Sequence, residues 1–325
     1  MSEHPRDRFD LIPDAAAEAA FLDALAKGRL HHAWLLCGVE SSGKSTFAYR
    51  AARRLMGAVP DPSRGPLGTD PNDHVARMIA AQSHPDLLVL ERLVEGGKTK
   101  KSISVDQARD LPEFFSKSPS QAAYRVAIID AADDLNLNAA NALLKVLEEP
   151  PERGVLFLVT HAPGRLLATI RSRCRRLAFP VWPEHALQDL VRNKTGVPSA
   201  EAVRIAGMAG GSPGQALALA SGATLEADQL AQEWVSAAEV DRAEAMAIAD
   251  KFRGAEGQER FETLMERLIA AVKVRALSEG ASGARWAELW SRLSELPERA
   301  AAINLDRADV LAGALADLQR TKAAR

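Results

Sequence analysis

Cysteine is scarce in this sequence, and its scarcity excludes two kinds of small domain. Only Cys37 and Cys174 occur among 325 residues, far apart along the chain. Two distant thiols can build neither a disulfide framework nor a cysteine-rich zinc module. The sequence therefore predicts that the protein has no zinc site and resides in a reducing cytoplasm.

Long apolar runs and a large excess of one charge are also missing. No apolar stretch approaches the roughly 20 residues that a membrane-spanning helix needs. The N-terminus, MSEHPRDRFD, is too polar for a signal peptide. The formal net charge is −2, so no overall positive field attracts nucleic acid. These absences predict a cytoplasmic protein that has no membrane partner and whose polyanion contacts are local or shared with other subunits.

The first half of the chain alternates between strand-like and helix-like segments. Such alternation is typical of a parallel sheet with helices on both faces. The strands are predicted at 33–38, 86–91, 125–130 and 154–160, and helices at 15–29, 44–57, 105–118 and 138–149. Residues 58–75 are rich in Pro, Gly and Asp and are predicted to be a loop.

Strand signals disappear after the segment FPVWPEH, residues 179–185. Residues 186–222 are typical of a small helical unit, and a long alanine- and leucine-rich helical stretch follows. The sequence therefore predicts three domains, at residues 1–180, 181–223 and 224–325.

A phosphate-binding loop is predicted in the segment LLCGVESSGKST, residues 35–46, which contains the pattern G-x-x-x-x-G-K-[ST]. An apolar strand precedes the pattern and a helix follows it, as such a loop requires. Lys44 would reach the β- and γ-phosphates of ATP or ADP, and Ser45 would bind Mg²⁺. A serine-glycine turn that merely caps a helix is the alternative. The predicted nucleotide-binding residues are Gly38, Val39, Glu40, Ser41, Ser42, Gly43, Lys44, Ser45 and Thr46.

A second acidic group for Mg²⁺ is predicted at Asp130, at the end of the strand RVAIID. The next residue is Ala131, where an ATPase of this class usually has a glutamate that orients water. A methyl group cannot do this. Asp133 and Asp134 follow, and we interpret them as a cap at the start of a helix rather than as replacement bases.

Two further positions bear on nucleotide chemistry. Thr160 ends the strand GVLFLVT, and its hydroxyl is suited equally to touching a γ-phosphate and to capping the next turn. The segment GSPGQAL, residues 211–217, starts a helix where a nucleotide-binding lid would carry an arginine. It offers only Gln215, so we predict a plain helix start.

The segment RSRCRR, residues 171–176, contains four arginines. A solvated basic patch, a nucleic-acid contact and an arginine given to a neighbouring subunit's nucleotide all fit it, and composition alone favours the solvated patch. Cys174 within it lacks an identifiable catalytic base and is predicted to be an unreactive thiol. The seven histidines show no metal-binding spacing.

Four segments together resemble the bacterial clamp-loader family of AAA+ proteins. They are HHAWLLCGVESSGKST, AIIDAADDLNLNAANALLKVLEEPP, FLVTHAPGRLLATIRSRC and GSPGQALAL. The most specific feature is NALLKVLEEPP followed by a Ser-Arg-Cys triplet, and the resemblance covers residues 9–220. It implies an α/β AAA+ domain with a RecA-like parallel sheet, a small helical lid domain and an all-α C-terminal collar domain.

The resemblance also implies a function. Members of the family assemble with gamma/tau and delta subunits into a hetero-pentamer that opens a sliding clamp and places it on primed DNA. The triplet corresponds to Ser172, Arg173 and Cys174, and Arg173 would be an arginine finger for a neighbour's ATP. Ala131 and Gln215 indicate the non-hydrolysing, stationary member of the complex. The alternative is an active ATPase resembling gamma/tau, which the complete phosphate loop favours.

Overall fold

The computed structural model of the chain describes residues 4–10, 15–95, 98–100, 102–220, 222–252, 255–279, 283–303 and 305–323. The chain divides into two compact units, Met1–Leu217 and Ala218–Arg325. The three predicted domain ranges stay predictions, and their outer limits at residues 1 and 325 lie outside the described residues.

A five-stranded parallel sheet forms the centre of the first unit. The described strands are β1 (Ala33–Cys37), β2 (Leu87–Glu91), β3 (Val94–Glu95), β4 (Lys98–Thr99), β5 (Arg125–Asp130), β6 (Gly154–Thr160) and β7 (Arg175–Ala178). The sheet has the order β2-β5-β6-β1-β7, and β3 and β4 form a short antiparallel pair. Strands β1 and β6 are buried along their whole length, as their continuous apolar sequences predict.

Helices cover both faces of this sheet. The described helices of this part are α1 (Ala15–Ala26), α2 (Lys44–Leu55), α3 (His74–Ala80), α4 (Val105–Ser116), α5 (Leu137–Glu148), α6 (Ala168–Arg171), α7 (Glu184–Thr195), α8 (Ser199–Met208) and α9 (Pro213–Leu219). Local sequence explains where several begin. Ser104 and Gln107 form a capping box at the start of α4, and the Asn136 side chain caps α5.

The two faces of the sheet contribute to two separate hydrophobic clusters. On one face, Trp34 of β1 packs with Phe21 and Phe47 of helices α1 and α2. On the other face, Leu35 of β1 packs with Leu143 of α5 and with residues of α4. This alternation follows from the two-residue period of a strand. It fixes the carboxyl end of β1 between α2 and α5, where the phosphate loop begins.

Two elements differ from the sequence expectation. Helix α3 begins within the segment predicted to be a loop, because the Asp73 carboxylate accepts hydrogen bonds from the N–H groups of Val75 and Ala76. Strand β7 forms an edge of the sheet from RRLA, a sequence that resembles a basic patch. The guanidinium of Arg175 lies 4.9 Å above the ring of Trp34, so the apolar support of this strand comes from β1.

The second unit is helical in the part of the chain that the structure describes. Its helices are α10 (Gly222–Ser236), α11 (Arg242–Asp250), α12 (Ala255–Ser278), α13 (Gly283–Ile303) and α14 (Arg307–Ala323). Trp234, Phe261 and Trp286 lie in their common core. Across the described ranges, no helix combines the length and the hydropathy that a bilayer crossing requires. The predicted fold class, a parallel α/β sheet followed by an all-helical region, is confirmed.

Candidate functional site

The phosphate-loop residues lie between strand β1 and helix α2, as the motif predicts. Gly43 precedes α2 in a left-handed conformation with φ of 92°, which glycine adopts without steric cost. It has no side chain that could cap the first N–H groups of the helix. Gly38 is needed because a Cβ there would lie 2.6 Å from the carbonyl oxygen of Phe179. The loop thus presents a helix N-terminus of the kind that binds phosphate.

The ammonium group of Lys44 lies inside the loop. Its Nζ donates to the carbonyl oxygens of Gly38, at 2.9 Å, and Val39, and to the hydroxyl of Ser42 at 3.3 Å. Burial lowers the pKa of Lys44 to about 8, although the nearby Asp130 carboxylate opposes this shift. The phosphate oxygens of a nucleotide can replace these acceptors, so the position of Lys44 fits its predicted role.

Asp130 and Ser45 meet beside this lysine. Asp130 is the last residue of β5, and the Ser45 hydroxyl lies beside its carboxylate. Burial raises the pKa of Asp130, against the opposing effect of this nearby hydroxyl. A neighbouring hydroxyl and carboxylate supply oxygen ligands of the type that Mg²⁺ prefers. The residues present therefore fit a magnesium nucleotide.

A zinc site would need several metal-binding side chains close together. Over the described ranges, no group of three or more His, Cys, Asp or Glu side chains is placed to hold a metal ion. The predicted absence of zinc stays a prediction.

The residues after Asp130 do not provide a free base. Ala131 is 5% exposed and carries only a methyl group. The Asp133 carboxylate accepts hydrogen bonds from the Thr160 hydroxyl, at 2.7 Å, and from the N–H of His161. Asp134 pairs with Arg92 at 3.1 Å. Both carboxylates are therefore held by other groups of the chain.

These contacts correct one interpretation made from the sequence and bear on another that the sequence left open. Asp133 and Asp134 are not the cap of the following helix, because Asn136 caps α5. Thr160 is fully buried and donates to Asp133 instead of capping the next turn. Its predicted contact with a γ-phosphate stays a prediction, and that contact requires the hydroxyl to leave Asp133.

The start of helix α9 contacts the phosphate loop directly. The Ser212 hydroxyl donates to the carbonyl oxygen of Glu40 at 2.8 Å, and the N–H of Gly214 donates to that of Ser41 at 3.0 Å. A Cβ at position 214 would lie 2.5 Å from the Ser41 oxygen. The N–H of Gln215 donates to Ser212 at 3.2 Å, within the turn that starts the helix. The helix start is therefore not a plain one, because glycine is required for this close approach.

Arg173 lies on the surface between helix α6 and strand β7. Its side chain is 37% exposed, and its Nη2 lies 3.0 Å from the Glu148 carboxylate at the end of α5. Its Nη1 donates to the Thr169 carbonyl oxygen at 3.0 Å. Ser172 of the same triplet donates to the Thr169 oxygen at 3.2 Å. The guanidinium thus has two contacts within the chain, and its side chain stays partly exposed.

The other arginines of RSRCRR are also exposed. The guanidinium of Arg175 lies over the ring of Trp34, and Arg176 lies close enough to Cys37 to oppose the rise that burial causes in the pKa of that thiol. Burial raises the pKa of Cys174 to about 12, which leaves it as an unreactive thiol at neutral pH. The role predicted for Cys174 from the sequence stays a prediction.

Sequence reasoning missed three residues of this region. Glu148, Ser212 and Gly214 act through contacts with residues that are distant along the chain, 172 positions in the case of Ser212 and Glu40. The Gly-Ser-Pro-Gly turn was the one local signal, because closely spaced glycines allow two backbones to approach.

The chain is similar to known proteins in sequence and in fold. The family model described as "DNA polymerase III, delta subunit" matches residues 14–182. DNA polymerase III subunit delta' of Pseudomonas aeruginosa is 37% identical over 183 residues, which are 56% of this chain and 53% of that protein. The Escherichia coli K12 protein of the same name is 35% identical over 198 residues, or 60% and 56%. The chain spans a little more than half the length of these curated relatives.

A solved structure shares the fold. The DNA polymerase III gamma subunit-related protein of Thermotoga maritima superimposes with a TM-score of 0.52 and 18% identity, over 94% of this chain and 99% of that one. At this identity the likeness concerns the fold alone. The family match, in contrast, extends over more than half of the chain. The chain therefore belongs to the DNA polymerase III delta-prime subunit family.

Proposed function

We propose that this chain is the delta-prime subunit of a DNA polymerase III clamp loader. In this role it helps to load the sliding clamp onto primed DNA during replication. It provides Arg173 in trans to the ATP of a neighbouring subunit and hydrolyses little or no ATP itself. Family membership and the geometry around Asp130 and Arg173 support the proposal.

One observation carries it: the acids that follow Asp130 are engaged by other groups of the chain, and the Arg173 side chain is 37% exposed. Phosphoryl transfer depends on positioning the attacking water and on stabilising the charge that develops. Ala131 cannot position water, and Asp133 and Asp134 are engaged by Thr160, His161 and Arg92. The Arg173 side chain is 37% exposed, so a partner's phosphate oxygens can reach it.

The phosphate loop keeps a binding role in this proposal. Lys44 and the N–H groups at the start of α2 hold the phosphates of ATP or ADP, and Ser45 and Asp130 hold Mg²⁺. The bound cation would neutralise phosphate charge. The nucleotide stabilises the first unit, since a ligand that binds only the folded state shifts the folding equilibrium.

The partners follow from the same role. They are gamma/tau and delta subunits in a hetero-pentamer, and through that assembly the sliding clamp and primed DNA, in the cytoplasm. With a net charge of −2, the chain alone has little of the cationic surface that drives binding to phosphate backbones.

The test uses the reconstituted loader with Arg173→Ala in this chain. DNA-dependent ATP turnover should fall by at least about tenfold, because an arginine in trans is worth about 10³–10⁵ in rate at its own site. Arg171→Ala, in the same basic segment, is the matched control and should leave turnover unchanged. Equal turnover by the two variants would sink the proposal.

A second candidate function is a catalytic ATPase resembling gamma/tau. The complete phosphate loop, with Lys44 buried inside it, favours this alternative. It requires Asp133 or Asp134 to leave its partners and orient water. Under this alternative the isolated chain hydrolyses ATP and Lys44→Ala abolishes the activity, whereas the proposed function gives background turnover for both.

A further inference from the structure

The ion pair between Glu148 and Arg173 is placed where the helix itself disfavours a carboxylate. Glu148 is the last residue of α5, and Glu149 follows it. The C-terminus of a helix carries partial negative charge, so basic side chains are the usual residues there. In the described part of the chain, the cation in contact with Glu148 is Arg173, at 3.0 Å. The position of this acid is therefore explained by the arginine and not by the helix.

The two contacts of Arg173 orient its guanidinium and do not occupy all of its N–H donors. A guanidinium has five N–H donors in a rigid plane. The Nη2 of Arg173 lies 3.0 Å from a Glu148 carboxylate oxygen, and its Nη1 donates to the Thr169 carbonyl oxygen. These two groups lie on different elements, at the end of α5 and on α6, and together they set the direction of the plane. The side chain remains 37% exposed, so an acceptor outside the chain can reach it.

From this geometry we infer that Glu148 is a positioning residue for Arg173. The inference rests on the proposed function, in which Arg173 acts on phosphate oxygens bound to a neighbouring subunit. A free arginine side chain samples many rotamers, and ordering it has an entropic cost. Glu148 orders the guanidinium before the partner arrives, so that its effect falls on the chemical step more than on nucleotide binding.

The experiment measures kcat and KM for ATP in the reconstituted loader. Glu148→Ala should lower kcat about three- to tenfold and leave KM unchanged. Glu148→Gln should retain most of the activity, because its amide oxygen still accepts from the guanidinium. Glu149→Ala removes the same charge from the next residue, which is also exposed, and should have no effect. Thermal unfolding of each variant checks that the chain remains folded.

A double-mutant cycle separates positioning from a structural role. In the Arg173→Ala background, Glu148→Ala should cause no further loss, because the arginine that it orients is absent. A further loss there would assign Glu148 to the stability of α5 and overturn the inference. A rise in turnover with Glu148→Ala would also overturn it, since the carboxylate would then be a competitor for the arginine.

The same variants also separate a failure of this inference from a failure of the proposed function. If Arg173→Ala lowers turnover and Glu148→Ala does not, the inference fails while the proposed function stands. If Arg173→Ala itself has no effect, the proposed function fails and the inference fails with it.

Discussion

At the scale of single residues, the site depends on which polar side chains already have a hydrogen-bond or ion-pair partner within the chain. The sequence correctly predicts that the phosphate loop follows a strand and precedes a helix, because that pattern is local. It could not predict the hydrogen bond from Thr160 to Asp133, which joins residues 27 positions apart. Such a hydrogen bond depends on which strands are neighbours in the sheet, and the residue pattern of one strand does not indicate this.

The Asp133 contacts predict a difference between two adjacent acids. Asp133→Ala leaves the buried Thr160 hydroxyl without its acceptor and should lower the free energy of unfolding by about 1–3 kcal/mol. Asp134→Ala is the matched control, because it removes only a partly exposed pair with Arg92, worth about 1 kcal/mol or less. Urea unfolding followed by circular dichroism measures both. Equal losses would show that Asp133 has no special structural role.

Lys44 predicts a pH dependence of nucleotide binding. Its pKa is lowered to about 8 by burial, so the ammonium loses its proton in the free protein as the pH rises above that value. Bound phosphate favours the charged form of Lys44. Above that pH, nucleotide binding must therefore be accompanied by the uptake of a proton. The affinity for ATP should therefore be steady below pH 8 and fall above it, by up to about tenfold per pH unit.

This dependence can be measured with a fluorescent ATP analogue between about pH 7 and about pH 9. Lys44→Arg keeps its charge over that interval and is the control, for which the affinity should not change with pH. A constant affinity for the wild-type chain would mean that Lys44 stays charged and does not control binding.

At the scale of elements, sequence patterns locate the central strands well and the peripheral elements poorly. The predicted strands at 125–130 and 154–160 have the bounds of β5 and β6, because continuous apolar runs are typical of strands that are buried on both faces. Strand β7 lies at the sheet edge and is mostly exposed, so its arginine-rich sequence carries no strand signal. Its pairing with β1 is a tertiary effect.

The contact between helix α9 and the phosphate loop leads to a prediction about two glycines. Gly214→Ala places a Cβ 2.5 Å from the Ser41 carbonyl oxygen and should lower the free energy of unfolding by about 1–3 kcal/mol. Gly207→Ala, in α8, meets nothing within 4 Å and should raise it by about 0.5–1 kcal/mol. Thermal unfolding of both variants is the measurement. If Gly214→Ala were as stable as Gly207→Ala, the helix start would not contact the loop.

At the scale of the whole molecule, the alternation of strands and helices and the later loss of strand signals predict the architecture. The assembly is a different matter, because a partner surface leaves no periodic signal in one chain. Lys44 is buried within the phosphate loop, whereas Arg173 contacts Glu148 and Thr169 and is partly exposed. Our central claim is that the arginine completes a site on another subunit.

The most direct test of that claim is ATP turnover while this chain is titrated into a fixed concentration of gamma/tau and delta subunits. We predict background turnover for the chain alone and a rise to a plateau when the wild-type chain is added. The Arg173→Ala chain, shown by size-exclusion chromatography to assemble equally, should give no more than about a tenth of that rise. Turnover by the isolated chain, or an equal rise with Arg173→Ala, would contradict the claim.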